Sequence, residues 1–255
     1  MKENIGDCTI DLTVTSPPYD DLRNYNGYSF NFEETAQELY RVTKEGGVVV
    51  WVVGDKTHNG SESGTSFKQA LYFKEIGFNL HDTMIYHKKN VFGGAGNPPK
   101  RYSQCFEYIF ILTKGGLKTF NPIKVPCKSY GRKFTGRTRK NKQADGKEPE
   151  SLRLVEGFVS KEKVASNIFS YQIGFNMTSK DKISFKHPAT FPEKLAEDHI
   201  LSWSNEGDIV FDPFMGSGTT AKMAALNNRK YIGIEISKEY CDIANERLKD
   251  YITTK

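Results

Sequence analysis

Apolar and polar positions alternate in short runs that divide the chain into strands and amphipathic helices. Ile10–Thr15 alternates and stops at Pro17-Pro18, which predicts a short strand ended by prolines. Phe32, Ala36, Leu39, Tyr40 and Thr43 recur at helical spacing, so a helix is expected over Phe32–Thr43 with Gly46-Gly47 as its stop. Val48–Val53 is an unbroken apolar run, nearly all β-branched, of the kind buried in parallel sheets. Phe67–Ile76 predicts a helix ended by Gly77, Asn79–His87 a strand, and Glu107–Thr113 a strand closed by Gly115-Gly116. Further on, Pro192–Trp203 reads as a helix with proline in its first turn and Thr190 or Phe191 near the cap. Asp208–Phe211 and Tyr231–Ile236 read as strands, Thr219–Asn227 and Lys238–Tyr251 as helices. Alternation breaks only across residues 116–186, so the expected fold is an α/β doubly wound sheet with an inserted or appended substrate module.

Composition narrows the class. A chain of 255 residues suits one large domain or a domain with an insertion. Hydrophobic residues at 37% and charged residues at 26% exclude a membrane protein and a disordered chain, and the Val48–Val53 run is too short to span a bilayer. The start, Met-Lys-Glu-Asn, shows no signal-peptide pattern. Cys8, Cys105, Cys127 and Cys241 have neither C-x-x-C nor zinc-like spacing, so reduced thiols in a cytosolic protein are expected and no metal site. The formal charge of +5 conceals an asymmetry: ten Lys and Arg and no acid lie between Lys114 and Lys142, leaving −5 on the rest. Phe120, Tyr130 and Phe134 are interleaved with them. A polyanion contact with base stacking and a solvated, irregular loop fit that stretch equally on charge alone.

Two short loops carry candidate chemistry. Asp212-Pro213-Phe214-Met215-Gly216-Ser217-Gly218-Thr219 follows a strand and opens a helix, and its glycines let the backbone approach a ligand closely. Glu235 ends the next strand, nineteen residues after Gly216, where a carboxylate can accept from both hydroxyls of an adenosine ribose. This predicts a nucleoside cofactor without fixing its identity, since Gly216-x-Gly218-x-x-Ala221 also suits a nicotinamide fold. Only 37 residues follow Gly218, so most of the sheet must come from upstream and the order is circularly permuted. Thr15-Ser16-Pro17-Pro18-Tyr19 directly follows the first strand. Its prolines remove two donors and hold the carbonyls and the Ser16 hydroxyl rigidly as acceptors beside an aromatic ring, which suits a planar group bearing an amino function. Taken alone, a strand terminator with a core tyrosine would be the simpler reading.

Together, Thr15–Tyr19, Asp212–Thr219 and Glu235 resemble the amino-group DNA methyltransferases that use S-adenosylmethionine, in the order that has the catalytic motif first (beta-type). Leu22-Arg23-Asn24-Tyr25 resembles the segment after that motif, Leu39–Val53 the helix–Gly-Gly–strand block, and Glu107-Tyr108-Ile109 with Lys114 a late strand. His187-Pro188-Ala189-Thr190-Phe191-Pro192 resembles the stretch wrapping the methionine end of the cofactor. The resemblance implies a Rossmann-like methyltransferase sheet with a catalytic half at 1–115, a basic target-recognition region at 116–186 and a cofactor-binding half at 187–255. It implies that Ser16, Pro17, Pro18 and Tyr19 are catalytic. Asp212, Pro213, Phe214, Gly216, Ser217, Gly218, Thr219 and Glu235 would hold the cofactor with His187, Pro188, Thr190 and Phe191. The family usually has a strand ending in Gly-Asp a helix's length before the catalytic strand; here Gly6-Asp7 lies only four residues before Asp11, and Asp7 is carried over as the adenine-side acid. The basic residues Lys124, Lys128, Arg132, Lys133, Arg137, Arg139 and Lys140 fall where target DNA would be contacted.

The implied reaction moves a methyl group to the exocyclic amino nitrogen of a base flipped from the duplex. Ser at position 16 is more frequent in N4-cytosine members, so cytosine leads and N6-adenine is the alternative. Carbon-5 chemistry would need a thiolate, and Cys127, inside the basic stretch, reads as incidental. His87 reads as a half-exposed strand-end residue, Trp51 and Trp203 as core, and Gly93–Pro99 as a surface loop or a closure over DNA. The implied partners are double-stranded DNA, a cognate restriction endonuclease and a second copy in a homodimer, in the cytoplasm at the nucleoid of a prokaryote or phage-infected cell. Competing functions are a nicotinamide oxidoreductase, a non-catalytic DNA-binding partner, and methylation of RNA or a protein glutamine.

Overall fold

A computed structural model describes residues 1, 4–18, 31–91, 100–137, 154–187 and 189–251. They form two units, one of Met1–Asn121 with Asn167–Lys255 and one of Pro122–Ser166. In chain order the first unit contributes β1 (Ile10–Thr15), α1 (Phe32–Val42), β2 (Thr43–Val53), a short pair β3 (Thr57–His58) and β4 (Ser61–Glu62), α2 (Thr65–Glu75), β5 (Phe78–Lys88) and β6 (Phe106–Lys114). The second contains β7 (Lys124–Pro126), β8 (Lys133–Arg137), β9 (Leu154–Phe158) and β10 (Glu162–Val164). The first unit resumes with β11 (Ile168–Tyr171), a 3-10 turn over Lys182–Lys186, α3 (Glu193–Trp203), β12 (Ile209–Asp212), α4 (Thr219–Leu226), β13 (Lys230–Gly233) and α5 (Lys238–Leu248).

Seven strands make one mixed sheet in the order β11-β5-β6-β2-β1-β12-β13. β2, β1, β12 and β13 run parallel, whereas β6 is antiparallel to both its neighbours. β2 explains the layering, because the two-residue period of a strand sends its neighbours to opposite faces. Val48, Val50 and Val52 pack on one face with Leu195 and Ile200 of α3 and Met223 of α4. Val49, Trp51 and Val53 pack on the other with Leu39 of α1 and Phe73 of α2. A strand with helices on both sides has no polar face, hence the unbroken apolar run. Trp51 and Trp203 are both buried, as expected. No helix among the described residues is long and apolar enough to cross a membrane.

Several expectations change. Gly46-Gly47 does not end α1, which closes at Thr43, where the side-chain hydroxyl donates to Leu39 O at 2.6 Å. The glycines instead lie where β2 bulges, its register jumping from Ile10↔Thr43 to Leu12↔Val48, with Gly46 at φ +79°. Lys114 is not part of a surface field: it is buried, and its Nζ donates to the Tyr40 and Thr43 carbonyls at 2.8 and 3.0 Å, capping the end of α1 from β6. Phe120 stacks on Trp203 with ring centroids 5.0 Å apart instead of standing among the basic side chains. β11 and the 3-10 turn, inside the residues assigned to the basic region, belong to the main unit.

The described residues of the second unit form antiparallel ribbons where an irregular loop was expected. β7 pairs with β10 and β8 with β9, one ladder nested inside the other. The Phe134 ring covers Gly157 across the inner ladder, where a Cβ would approach it to 3.2 Å. From Pro122 to Ser166 twelve Lys and Arg face five Asp and Glu, a net +7 that leaves −2 on the rest of the chain. Lys124, Lys128, Arg132 and Lys133 are exposed, as are the rings of Tyr130 and Phe158.

One core residue sets a pH dependence. His199 of α3 is fully buried beside Phe169, its Nδ1 accepting from Trp203 Nε1 at 3.2 Å, and burial pushes its pKa down from 6.5 to about 3. Because the folded value lies below the unfolded one, its contribution is complete above pH 6.5 and is lost as pH falls towards 3, by up to ~1.4 kcal/mol per pH unit. Urea unfolding should therefore show His199→Gln with a shallower loss of stability than wild type between pH 7.5 and 5. Parallel slopes would exclude His199 as the cause.

Candidate active site

The parallel strands end together at Thr15, Val53, Asp212 and Gly233, and a cavity of about 620 Å³ opens along that carboxyl edge. Such edges collect ligands in doubly wound sheets because the strand-to-helix loops converge there. β5 ends and β6 begins on the same edge, since Val53 pairs with Tyr108 and His87 with Phe106.

Over β12 and β13 the wall is the glycine loop. Pro213, Phe214, Gly216, Ser217 and Thr219 face the cavity. Gly216 has φ +50°, and a Cβ there would stand 2.8 Å from His187 Nε2, so only glycine keeps this turn open beneath the histidine. Glu235 also faces the cavity, and its carboxylate accepts from Gly216 N at 2.8 Å and Ser237 N at 2.9 Å. That acid therefore braces the loop to the start of α5 while keeping acceptor capacity for ligand hydroxyls. His187, Thr190 and Phe191 line another side, with the His187 ring edge-on to Tyr240 at 4.3 Å. Pocket volume, glycine cradle and acid together fit a nucleoside cofactor.

Two residues behind the wall fix its position. Asp212 Oδ1 accepts from the Thr15 hydroxyl at 2.6 Å and from Phe214 N at 3.0 Å, tying the glycine loop to the strand that ends at Ser16. Burial pushes its carboxyl up to about 6 against the pull of Thr15, Phe214 N and Thr220. Arg247 of α5, wholly buried, donates to Ser217 O at 2.6 Å, Glu193 Oε1 at 2.8 Å and Asp181 Oδ2 at 3.1 Å. Lys222 of α4 reaches the same two acids at 2.8 and 2.7 Å. Burial alone would raise the Asp181 carboxyl, but the hydrogen bonds from Lys222 and Arg247 outweigh it and hold it below the usual range.

Ser16 and Pro18, just past β1, face the same cavity, and beyond them it is lined by Tyr86, Lys88 and Glu107. Lys88 Nζ lies 2.6 Å from Glu107 Oε1. Phe175 and Phe185, in ring contact at 4.7 Å, complete the rim from the segment after β11.

The expected site residues thus gather mostly in one place. Pro17, Asp212 and Gly218 are within the same loops without lining the cavity. Tyr19, Pro188, Arg139 and Lys140 lie outside the described residues, as do Leu22–Tyr25, Gly93–Pro99 and the side chain of Arg137. Asp7 is corrected: it precedes β1 at the opposite edge, is largely exposed, and pairs with Arg41 at 2.5 Å, so it does not reach the cavity. His87 is half-buried near the end of β5, 3.0 Å from Ser170 Oγ. Reading the sequence missed Tyr86, Lys88, Arg247 and Lys222, which sit in ordinary strand and helix patterns. Glu107 was visible only as part of a strand.

An N6/N4 methyltransferase model described as DNA methylase matches residues 10–246. The chain is 67% identical over 263 residues to the orphan methyltransferase M.BamHII of Bacillus amyloliquefaciens, spanning 99% of this chain and 93% of that protein. It is similar to the PvuII DNA methyltransferase (cytosine-N4-specific), with a TM-score of 0.68 and 19% identity over 96% of this chain and 81% of that one. It is also similar to TTHA0409 of Thermus thermophilus, complexed with S-adenosyl-L-methionine, with a TM-score of 0.61 and 23% identity over 99% and 90% of the two chains. At those identities the two structures speak for a shared Rossmann-like fold.

Proposed function

Because the chain belongs to the N6/N4 DNA methylase family, we propose that it methylates the exocyclic amino nitrogen of a base in DNA, with N4 of cytosine as the target. Family membership removes the nicotinamide reading. The observation that carries the proposal is the single cavity shared by Ser16 and Pro18 on one side and by Gly216 and Glu235 on the other. When bound, S-adenosylmethionine supplies a methyl group activated by its positively charged sulfur. Glu235 would accept from the ribose hydroxyls, and the Gly216 turn and His187, which line the same cavity, would hold the rest of the cofactor. Amino nitrogens of bases are poor nucleophiles because their lone pair is delocalised into the ring. Ser16 Oγ and, by resemblance to the family motif, the Pro17 carbonyl accept from the amino protons, which favours the pyramidal nitrogen of the transition state over the planar ground state. Tyr19, by resemblance to the family motif, stacks on the extruded base and offsets part of the unstacking cost. Holding both reactants along one edge supplies much of the acceleration. Ser at position 16 and the cytosine specificity in the name of the PvuII enzyme support cytosine.

The basic ribbon is assigned to DNA. A two-stranded ribbon is narrow enough for the major groove, and its exposed Lys128, Arg132 and Lys133 can pair with phosphates. Binding to unmethylated duplex should weaken steeply with salt. Lys128→Ala combined with Arg132→Ala should lower the log–log salt slope by about 2. An unchanged slope would move the DNA surface elsewhere. The decisive test of function incubates purified protein with S-adenosylmethionine and unmethylated genomic DNA, digests to nucleosides and identifies the product by mass spectrometry. N4-methylcytosine is expected. N6-methyladenine would keep the amino-group mechanism and overturn the choice of base, and no methylated base would overturn DNA as substrate.

A further inference from the structure

Beyond Ser16 the cavity ends in a polar cluster of Tyr86, Lys88 and Glu107, drawn from the end of β5 and the start of β6. Nothing in cofactor binding or methyl transfer uses it. Lys88 and Glu107 have side chains only 22% and 15% exposed and are 2.6 Å apart. The Lys88 ammonium stands 5.6 Å from the centre of the Tyr86 ring. A strut between strands is not needed here, because past the bulge at Leu80/Asp82 the two strands pair without a break from Asp82↔Ile111 to His87↔Phe106. An ammonium has three donors, and among the described residues Glu107 is the one side chain accepting from Lys88. Lys88 lines the same cavity as Ser16.

We propose that Lys88, oriented by Glu107, donates to the ring-edge acceptors of the extruded base and selects cytosine. The inference rests on amino-group transfer at Ser16. With the amino group of cytosine at Ser16, the next two positions around the ring are N3 and O2, both acceptors. With adenine there, the corresponding positions are N1, an acceptor, and C2–H, which accepts nothing. A half-buried ammonium facing C–H loses a charged hydrogen bond that it makes with O2, and sites built to bond a polar group reject analogues lacking it. Glu107 is a positioning residue: it limits the rotamers of Lys88 and balances its charge while the cavity is free of base. Tyr86 closes the end behind them.

The test compares wild type with Lys88→Met and Glu107→Gln on a duplex carrying the enzyme's mapped target, on the same duplex with adenine at the target position, and on one with an abasic analogue there. Lys88→Met should lower kcat/KM on the cytosine duplex by roughly 10- to 100-fold and narrow the cytosine-over-adenine ratio. Affinities for the abasic duplex and for S-adenosylhomocysteine should stay at wild-type values. Lys88→Arg should restore part of the rate, and Glu107→Gln should lower it less than Lys88→Met. Equal weakening on cytosine and abasic duplexes would overturn the inference, as would an unchanged base ratio. A wild-type product of N6-methyladenine would overturn it while leaving amino-group transfer intact. Failure of the wild type to methylate any DNA base would remove both.

Discussion

Replacing Arg247 with methionine should cost the fold on the order of 3–5 kcal/mol and weaken cofactor binding with it. The guanidinium has no solvent exposure and donates to the Ser217 carbonyl, to Thr219 Oγ1 at 3.2 Å and to both Glu193 and Asp181. Methionine keeps most of the volume but leaves the two carboxylates with Lys222 as their one remaining cation among the described residues, and removes the donor to Ser217 O in the glycine loop. Removing one partner of a buried charged network is worse than never having built it, because the stranded charge cannot be rehydrated. A loss of that size is a large fraction of the stability of an ordinary domain. Urea unfolding with and without S-adenosylhomocysteine measures both effects. Arg247→Lys, which keeps the charge but not the fork of donors, should fall between the two. A methionine variant with the wild-type midpoint would show that Lys222 suffices.

Ser16→Ala should lower turnover by roughly 10²–10³-fold, the usual penalty for losing one preorganised partner of the developing charge. Binding of S-adenosylhomocysteine should be nearly unchanged if the glycine loop, Glu235 and His187, which line the cavity from other elements, are its holders as proposed. The two measurements together separate a catalytic acceptor from a residue that shapes the pocket. If Ser16→Ala loses affinity and keeps turnover, the hydroxyl belongs to the cofactor and the Pro17 carbonyl must carry the amino group alone. Single-turnover methylation followed alongside calorimetric binding would distinguish these outcomes.

Much of this architecture is legible locally. The β2 valines, the prolines after β1 and the glycines after β12 each obey a rule that acts within a few residues. Glu235 was singled out by its place at the end of the strand beside the glycine loop, and it does line the cavity there. What escaped reading depends on partners far along the chain. Lys114 counts as a surface charge until α1 supplies the two carbonyls that bury it. Arg247 looks like one more polar residue of an amphipathic helix, and only the return of the 178–187 segment with Asp181 makes it a core ion. The ribbon strands have little apolar period of their own, so their pairing appears only when β8 meets β9. Asp7 failed for the opposite reason: a matching dipeptide in the wrong position along the strand order cannot reach the right edge.

The bond from Thr15 to Asp212 spans 197 residues and joins two interior strands of the sheet, β1 and β12. During synthesis, β1 emerges early and can pair with β2, but its other edge waits for β12. At ~5–20 residues per second that interval is roughly 10–40 s, long enough for an open hydrophobic strand edge to meet other chains. The prolines that follow β1 sit at the end of that edge and interrupt any longer pairing there. Expression yield should thus respond to translation speed and chaperone supply more than to the thermodynamic stability of the finished sheet.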